Sequence, residues 1–330
     1  MASFFSYPCV LTVFKPLAVI MKIYVLDTIS DEAMASMADS HTVIRWEDPA
    51  AANWPADADA IINRTNPTTA DQIRAAKNLK LIVKHGIGVD HIDLAAAKEC
   101  GVAVCNTPGT NAQPVAELTI MAAIAAARNA TAAERALRIG QAGEPFNWRG
   151  GEIAGKRVGL IGLGNIGSKV APMFANGFGC SVSAVDPYVD NERFNTLSVR
   201  RFDTIEAMLP DIDILSLHCP LTDETRHLLD KITLALLPKG SLLINTARGG
   251  IVHDTALADA LESGHLSAAA LDVFESEPVD PSHRLLALPN VVATPHIGGH
   301  SYESGRRSGM AVVDIVLDAL DGNPPRNRIV

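Results

Sequence analysis

From residue 21 onward, short continuous apolar runs alternate with longer segments whose apolar positions recur at helical spacing. Unbroken runs of this length read as strands buried on both faces, and the periodic segments between them as covering helices. The first strand candidates are Lys22–Leu26, Thr42–Trp46, Ala60–Ile62, Lys80–Lys84 and Val102–Cys105. Helices are expected at Ser30–Met37, with Ser30 or Asp31 as cap, and at Thr69–Ala76 and Leu94–Glu99. Strand and helix in alternation imply a parallel sheet covered on both faces.

A turn-rich connector, Asn106–Pro114, leads into an alanine-rich helix expected over Val115–Arg128 and on toward Ile139. Its apolar character on more than one face suits burial on several sides or a subunit contact. Gln141–Gly151 is polar and glycine-rich, with Trp148 as its one large anchor. Strands then follow at Val158–Ile161, Ser181–Val185, Ile212–Leu217, Leu242–Asn245, Ala268–Val273 and Val291–Thr294. Between and after them helices are expected at Asp203–Leu209, Leu228–Leu237, Asp254–Ser263 (Gly264 as stop) and Ser301–Leu320. The last lies too far beyond the second sheet to belong to it and is expected to return to the first. The expected division is therefore 21–113 with 300–330 as one discontinuous domain, and 114–299 as the other.

The stretch RVGLIGLGNIGSKVAPMFANGFGCSVSAVD, Arg157–Asp186, carries the sharpest local signal. Gly162, Gly164 and Gly167 form G-x-G-x-x-G directly after a strand and before a helix. The first glycine permits the tight turn, the second admits a pyrophosphate to the backbone, and the third lets helix and strand pack closely. A diphosphate would sit on N–H groups around Asn165 and Ile166, at the positive end of the helix. Asp186, ending the next strand, can accept from both ribose hydroxyls and would repel a 2′-phosphate, which favours NAD over NADP. Arg193, Arg200 and Arg201 follow downstream and read as solvated surface.

The chain has 330 residues, 48% of them hydrophobic in type, enough for a large core and two domains. A net charge of -9 without a basic block argues against nucleic acid or an anionic membrane as the main partner. The five cysteines (Cys9, Cys100, Cys105, Cys180, Cys219) are odd in number and lack C-x-x-C pairing, as expected of reduced thiols in a cytoplasmic protein. Phe4–Ile20 is apolar but interrupted by Lys15 and Pro16, too broken for a membrane span and poor as a secretory signal. The expectation is that residues 1–20 are an upstream extension and that Met21 is the natural start. No metal-ligand spacing is present.

In an open parallel sheet, ligands bind beyond the carboxyl ends of the strands. Three successive strands of the second half are followed there by Arg248, Glu277 and His296. Hydride reaching a carbonyl carbon leaves an alkoxide that needs a proton, and His296 is suited to give it and to take it back in reverse. Glu277 would orient the imidazole and favour its charged form. Arg248 offers a planar fork for a substrate carboxylate. Each residue alone has a plainer reading, with Glu275 a rival to Glu277 and His85, His218 and His300 rivals to His296; the case rests on their convergence.

Taken together, GLGNIG, Asp186, HCPLTDET (His218–Thr225), NTARGG (Asn245–Gly250), ALDVFESEP (Ala270–Pro278) and TPHIGG (Thr294–Gly299) resemble the D-isomer-specific 2-hydroxyacid dehydrogenases, in particular the phosphoglycerate dehydrogenase-like members. Upstream, KHGIGVDHID (Lys84–Asp93) and NTPGTNAQPVAEL (Asn106–Leu118) extend the resemblance over nearly everything after Met21. The resemblance implies an α/β fold of two doubly wound parallel-sheet domains, a Rossmann NAD domain and a flavodoxin-like substrate domain, with a cleft between them. It implies catalytic roles for Arg248, Glu277 and His296. Asp272, Thr246, Ala247 and Gly298 would hold the nicotinamide side of NAD, and Cys219 and Pro220 would line the adenosine side. The Gly86–Gly88 loop would bind the substrate carboxylate through backbone N–H groups, with Ile87 approaching the nicotinamide. A homodimer joined through the cofactor domain is also implied.

Arg64, after a substrate-domain strand, resembles the basic residue that phosphoglycerate dehydrogenases aim at a phosphate. It reads either as the anchor of a second anionic group (phosphate, sulfonate or carboxylate) or as surface. The chain ends at Val330, soon after its last helix, so feedback by serine through an extra domain is not expected. The leading expectation is hydride transfer between NAD(H) and a small D-2-hydroxy or 2-oxo acid. Alternatives are a glyoxylate/hydroxypyruvate reductase, and a non-enzymatic NAD-sensing protein like the C-terminal-binding-protein corepressors.

Overall fold

The computed structural model describes residues 20–320 and 322–330, so the expectation about the leading segment concerns residues that lie almost wholly outside the described ones. Contacts divide the chain into two compact units. One runs through Thr107 and resumes at Gly309–Val330; the other is Pro108–Ser308.

The first unit contains β1 (Lys22–Val25), α1 (Asp31–Ala38), β2 (Thr42–Ile44), β3 (Ala60–Asn63), α2 (Ala70–Ala75), β4 (Leu81–Lys84), α3 (Leu94–Glu99) and β5 (Ala103–Cys105). Its five strands are all parallel and lie in the order β2-β1-β3-β4-β5, the flavodoxin-like arrangement. Alternate residues of each strand serve opposite faces. Ile23 and Val25 pack with Met34 and Met37 of α1 and with Val312, Val313 and Val316 from the far end of the chain. Tyr24, Ile61 and Ile82 pack on the other side with Trp54, Ile73 and Ala97. The helices start where the chain supplies caps: Ser30, Thr69 and Asp93 each accept from a first-turn N–H, and Thr69 with Gln72 completes a capping box.

The second unit opens with α4 (Ala112–Ala127) and α5 (Ala130–Arg138). The single long helix expected here is broken at Asn129, whose backbone is left-handed (φ 52°). An α-helix does not pass through that conformation, and asparagine adopts it more readily than most residues. Next come β6 (Arg157–Ile161), α6 (Gly167–Phe178), β7 (Ser181–Val185), α7 (Asn191–Thr196), β8 (Arg200–Arg201), α8 (Ile205–Met208), β9 (Ile214–Leu217) and α9 (Lys231–Leu234). The unit's sheet is completed by β10 (Ser241–Asn245), α10 (Asp254–Glu262), β11 (Leu266–Leu271), α11 (Arg284–Ala287) and β12 (Val291–Ala293). Seven parallel strands lie in the order β12-β11-β10-β9-β6-β7-β8, the Rossmann winding about β6. Six were expected; the seventh, β8, is a two-arginine edge strand with no apolar signature. Val158 and Leu160 pack with Phe174 and the alanines of α4 on one face. Ile161, Leu215 and Leu243 pack with Met208, Leu234 and Leu257 on the other.

The helix expected over Leu228–Leu237 shrinks to α9, because Leu229 instead bridges to Val252. The final helix, α12 (Tyr302–Leu320), begins in the second unit and ends in the first. The boundaries differ from the expected 113/114 and 299/300 for a local reason. Thr110 and Ser308 hydroxyls share a 2.7 Å hydrogen bond and Arg307 donates to the Thr110 carbonyl, so the connector and the first turns of α12 belong together. Among the described residues no helix is long and apolar enough to cross a membrane.

One carboxylate sets the loop after β3. Asp27 accepts from the Arg64, Thr65 and Asn66 N–H groups at 2.7, 3.1 and 3.4 Å and from the Thr65 hydroxyl at 2.7 Å. Burial alone would raise its pKa, but these donors outweigh burial and hold it below the ordinary carboxylate value. The folded state therefore keeps Asp27 ionised where the unfolded chain begins to protonate it. Its contribution is present above about pH 4 and lost as pH falls through the folded-state pKa. Asp27→Ala should lower unfolding free energy by about 1–3 kcal/mol at neutral pH, with the deficit shrinking in acid. Urea titrations of both proteins across the acid range measure this.

Candidate active site

The glycine fingerprint folds as its chemistry requires. Gly162 has φ 97°, and a Cβ there would lie 2.7 Å from the His218 carbonyl oxygen. A Cβ on Gly167 would overlap the Gly162 carbonyl, so helix and strand meet with no room for a side chain. At Gly164 a Cβ would meet nothing within 4 Å, which leaves open space over the turn. Helix α6 starts at Gly167 after Asn165 and Ile166 with no side-chain cap on its first N–H groups, the condition in which a helix N-terminus receives a phosphate. Asp186 is buried at the end of β7. It accepts from Leu163 N–H (2.7 Å) and Tyr188 N–H (2.9 Å), so the acid expected to read the ribose also ties the turn to the neighbouring strand. With about four acceptor positions on a carboxylate, it retains capacity for a sugar hydroxyl. Open space, an uncapped helix start and a strand-end acid together fit a dinucleotide.

The three expected catalytic residues lie on loops after β10, β11 and β12, and two of them meet directly. His296 Nδ1 and Glu277 Oε2 are 2.6 Å apart. Glu277 also accepts from Phe274 N–H at 3.0 Å. Burial would raise its pKa, but the bonds from His296 and Phe274 and the charges of His296 and Arg248 outweigh burial and hold it below the ordinary range. Glu277 therefore stays ionised and accepts from Nδ1, leaving Nε2 of His296 as the nitrogen that can exchange a proton with a ligand. His296 itself is held at φ 55°, a backbone state that non-glycine residues adopt at a cost and that clusters at functional sites. Arg248 Nη1 donates to the Ala247 carbonyl at 2.7 Å.

Two bracing residues hold these loops, and neither role could be read from the motifs. Asp272 is buried, and its carboxylate accepts from the Thr294 hydroxyl (2.6 Å), Ile297 N–H (2.8 Å) and Gly298 N–H (2.7 Å), while its carbonyl accepts from His296 N–H (2.8 Å). A Cβ on Gly298 would come 2.8 Å from Asp272 Oδ2, which explains glycine there. Asn245 accepts from Ala247 N–H and donates to the Arg248 carbonyl, fixing the turn that presents Arg248. Thr246 is buried and shares a 2.9 Å hydroxyl bond with Thr119. Asp272 and Gly298, expected on the nicotinamide, are thus also the cradle of the histidine loop.

Of the two residues expected on the adenosine side, Pro220 is exposed and Cys219 half-buried. Burial pushes the Cys219 thiol up to about 11, so it adds shape and not a nucleophile. His218, a rival for the catalytic role, bonds Ser216 at 3.0 Å through Nε2, and its Nδ1 is shut from solvent. Burial depresses its pKa to about 3. In the first unit, Gly86 (φ 126°) donates its N–H to the Thr107 hydroxyl at 2.8 Å, and Asn106 donates to the Ile87 carbonyl at 2.9 Å. The Gly86 N–H, expected to receive a substrate carboxylate, is thus already engaged by Thr107. Lys84 is buried behind this loop with its ammonium on the Arg64 carbonyl. Arg64 is half-buried, its guanidinium 3.5 Å from the Thr28 carbonyl.

Residues 120–298 match the family model described as D-isomer specific 2-hydroxyacid dehydrogenase, NAD binding domain. The chain is 42% identical over 262 residues to a hydroxypyruvate reductase of Thermotoga maritima, covering 79% of this chain and 84% of that one. It is 39% identical over 274 residues to a D-3-phosphoglycerate dehydrogenase of Methanocaldococcus jannaschii, covering 83% of this chain and 52% of that one. The chain thus spans about half the length of that dehydrogenase. Among solved structures it is similar to a glyoxylate reductase from Paecilomyes thermophila, with TM-score 0.83 and 26% identity over 94% of this chain and 98% of that one.

A neutral imidazole in the folded state and an ordinary one in the unfolded chain make stability fall with acid. Between about pH 6.5 and 3 the unfolded chain binds a proton that His218 does not, at up to about 1.4 kcal/mol per pH unit. His218→Gln should flatten the stability–pH curve over that window, as urea unfolding at stepped pH would record.

Proposed function

Because the chain belongs to the D-isomer specific 2-hydroxyacid dehydrogenase family, we propose that it interconverts a small D-2-hydroxy acid and its 2-oxo acid, using NAD(H). The observation that carries this reading is the 2.6 Å pairing of His296 with an ionised Glu277. The nicotinamide supplies or receives the hydride when bound. His296 Nε2 gives a proton to the oxygen of the reduced carbonyl, and takes it from the hydroxyl in the reverse direction. Glu277 fixes the imidazole tautomer and orientation. Arg248 binds the carboxylate and polarises the carbonyl. Asp186 supports NAD over NADP, since a 2′-phosphate would meet its charge. Gly162, Gly164, Asn165, Ile166 and Gly167 would receive the pyrophosphate, and Ile87 and Gly88 the substrate carboxylate.

Hydroxypyruvate, glyoxylate and phosphohydroxypyruvate are the substrates to compare first, given the relatives' names. Arg64 supports a second anionic group and is the residue on which that comparison turns. A non-enzymatic NAD-binding role would have no use for a paired Glu277 and His296 beside Arg248. The reading extends to a homodimer formed through the second unit, where Leu137, Ile139 and Phe146 are 69%, 61% and 67% exposed and α5 buries none of its residues. Cysteine usage supports a cytoplasmic location.

NADH oxidation against a panel of 2-oxo acids tests the reaction, and absence of turnover with all of them despite NADH binding would sink it. His296→Ala should lower kcat by about two to four orders of magnitude with little change in NADH affinity. Arg248→Ala should raise the oxo-acid KM as well as lower the rate. For the assembly, Leu137→Glu with Phe146→Glu should shift sedimentation from dimer to monomer; a monomeric parent protein would refute it.

A further inference from the structure

The loop that carries Glu277 is exposed from residue 275 to 278 and has no regular structure, yet it must hold a carboxylate at 2.6 Å from His296. Its inner side is explained: Phe274 N–H bonds Glu277, and Phe274 lies on Gly249, where a Cβ would overlap its backbone. The outer side is fastened by the other acid of the loop. Glu275 Oε1 accepts from His227 Nε2 at 3.1 Å and from Asp254 N–H at 3.3 Å. The second bond places the Glu275 carboxylate at the N-terminus of α10, where the helix dipole favours a negative charge.

His227 is prepared for this contact. Its backbone is left-handed (φ 53°), its N–H bonds the Gly250 carbonyl at 2.8 Å, and its ring lies 4.8 Å from that of His253. His253 Nδ1 accepts from Ala256 N–H, so that nitrogen carries no proton. His283 Nδ1 likewise accepts from Leu285 N–H while its Nε2 faces Asp254 at 3.1 Å. Glu275 therefore joins the Glu277 loop to the segment that follows Arg248 and to the start of α10.

We propose that Glu275, held by His227, is a positioning residue that keeps Glu277 on His296 and in register with Arg248. The rate effect rests on the proposed dehydrogenase reaction; the positioning itself does not. In Glu275→Ala the 275–278 loop loses its outer tether, and the Glu277–His296 bond lengthens or populates several geometries.

Two readouts on the full chain test this. The first is the low-field proton NMR signal of the His296 imidazole N–H, identified by its loss in His296→Ala. Glu275→Ala should broaden that signal or move it upfield, while Glu275→Gln, which keeps an acceptor, should restore it. The second is turnover: kcat for the best 2-oxo acid should fall about ten- to a hundredfold in Glu275→Ala, with NADH affinity unchanged and Glu275→Gln close to the parent. Should Glu275→Ala fail to fold, His227→Ala removes one of the two bonds to Glu275 and should move both readouts in the same direction, by less. A folded variant with the parent's N–H signal overturns the proposal, even if its melting temperature drops. A parent inactive on every 2-oxo acid would refute the reaction but leave the NMR signal to decide the role of Glu275.

Discussion

The placement of His296, and with it the pairing to Glu277, depends on where the buried carboxylate of Asp272 sits. It directly follows β11 and accepts three donors from the segment after β12, while its own carbonyl takes the N–H of His296. A carboxylate removed from water needs such donors to remain favourable there. Those donors belong to the residues surrounding the histidine, so satisfying the buried charge and placing the imidazole are one event. The left-handed backbone of His296 is the conformation this demands. Gly298 is small because its Cβ would strike the same carboxylate.

The neighbouring loops are coupled by equally short-range means. Gly249 admits the backbone of Phe274, Phe274 donates to Glu277, and Glu277 takes the imidazole. Asn245 braces the turn from which Arg248 projects. A guanidinium, a carboxylate and an imidazole from three parallel strands are thereby presented at one end of one sheet, the end at which such sheets bind ligands. The fingerprint turn, tied by Asp186 to β7, lies at the carboxyl end of β6 in the same sheet.

Much of this was legible in the chain. Buried parallel strands leave unbroken apolar runs, so among the described residues eleven of the twelve strands fall within or beside the expected segments. Arg200–Arg201 escaped because a two-residue edge strand needs only backbone pairing. The break at Asn129 escaped because alanine-rich sequence on both sides reads as continuous helix, and one asparagine in a left-handed state leaves no periodic trace. Arg248, Glu277 and His296 were singled out by their places after strands. The roles of Asp272, Asn245 and Asp27 were not, since each is defined by hydrogen bonds whose partners only the folded chain brings together. Glu275 and Glu277 were chemically equal candidates in sequence; only the side-chain bonds assign one to the imidazole and the other to His227.

Helix α12 leaves the second unit at Ser308 and completes the first with Val312, Val313, Ile315 and Val316, which lie against Ile23 and Val25. The second unit is thus an uninterrupted insertion into the first. As the chain emerges from the ribosome, residues 108–308 have all their own contacts available before the first unit has its last helix. The earlier-made sheet must wait, one face uncovered, until residues 312–316 have been made. Order of synthesis and order of completion are reversed in this protein, and the dinucleotide-binding half is the part that can finish first.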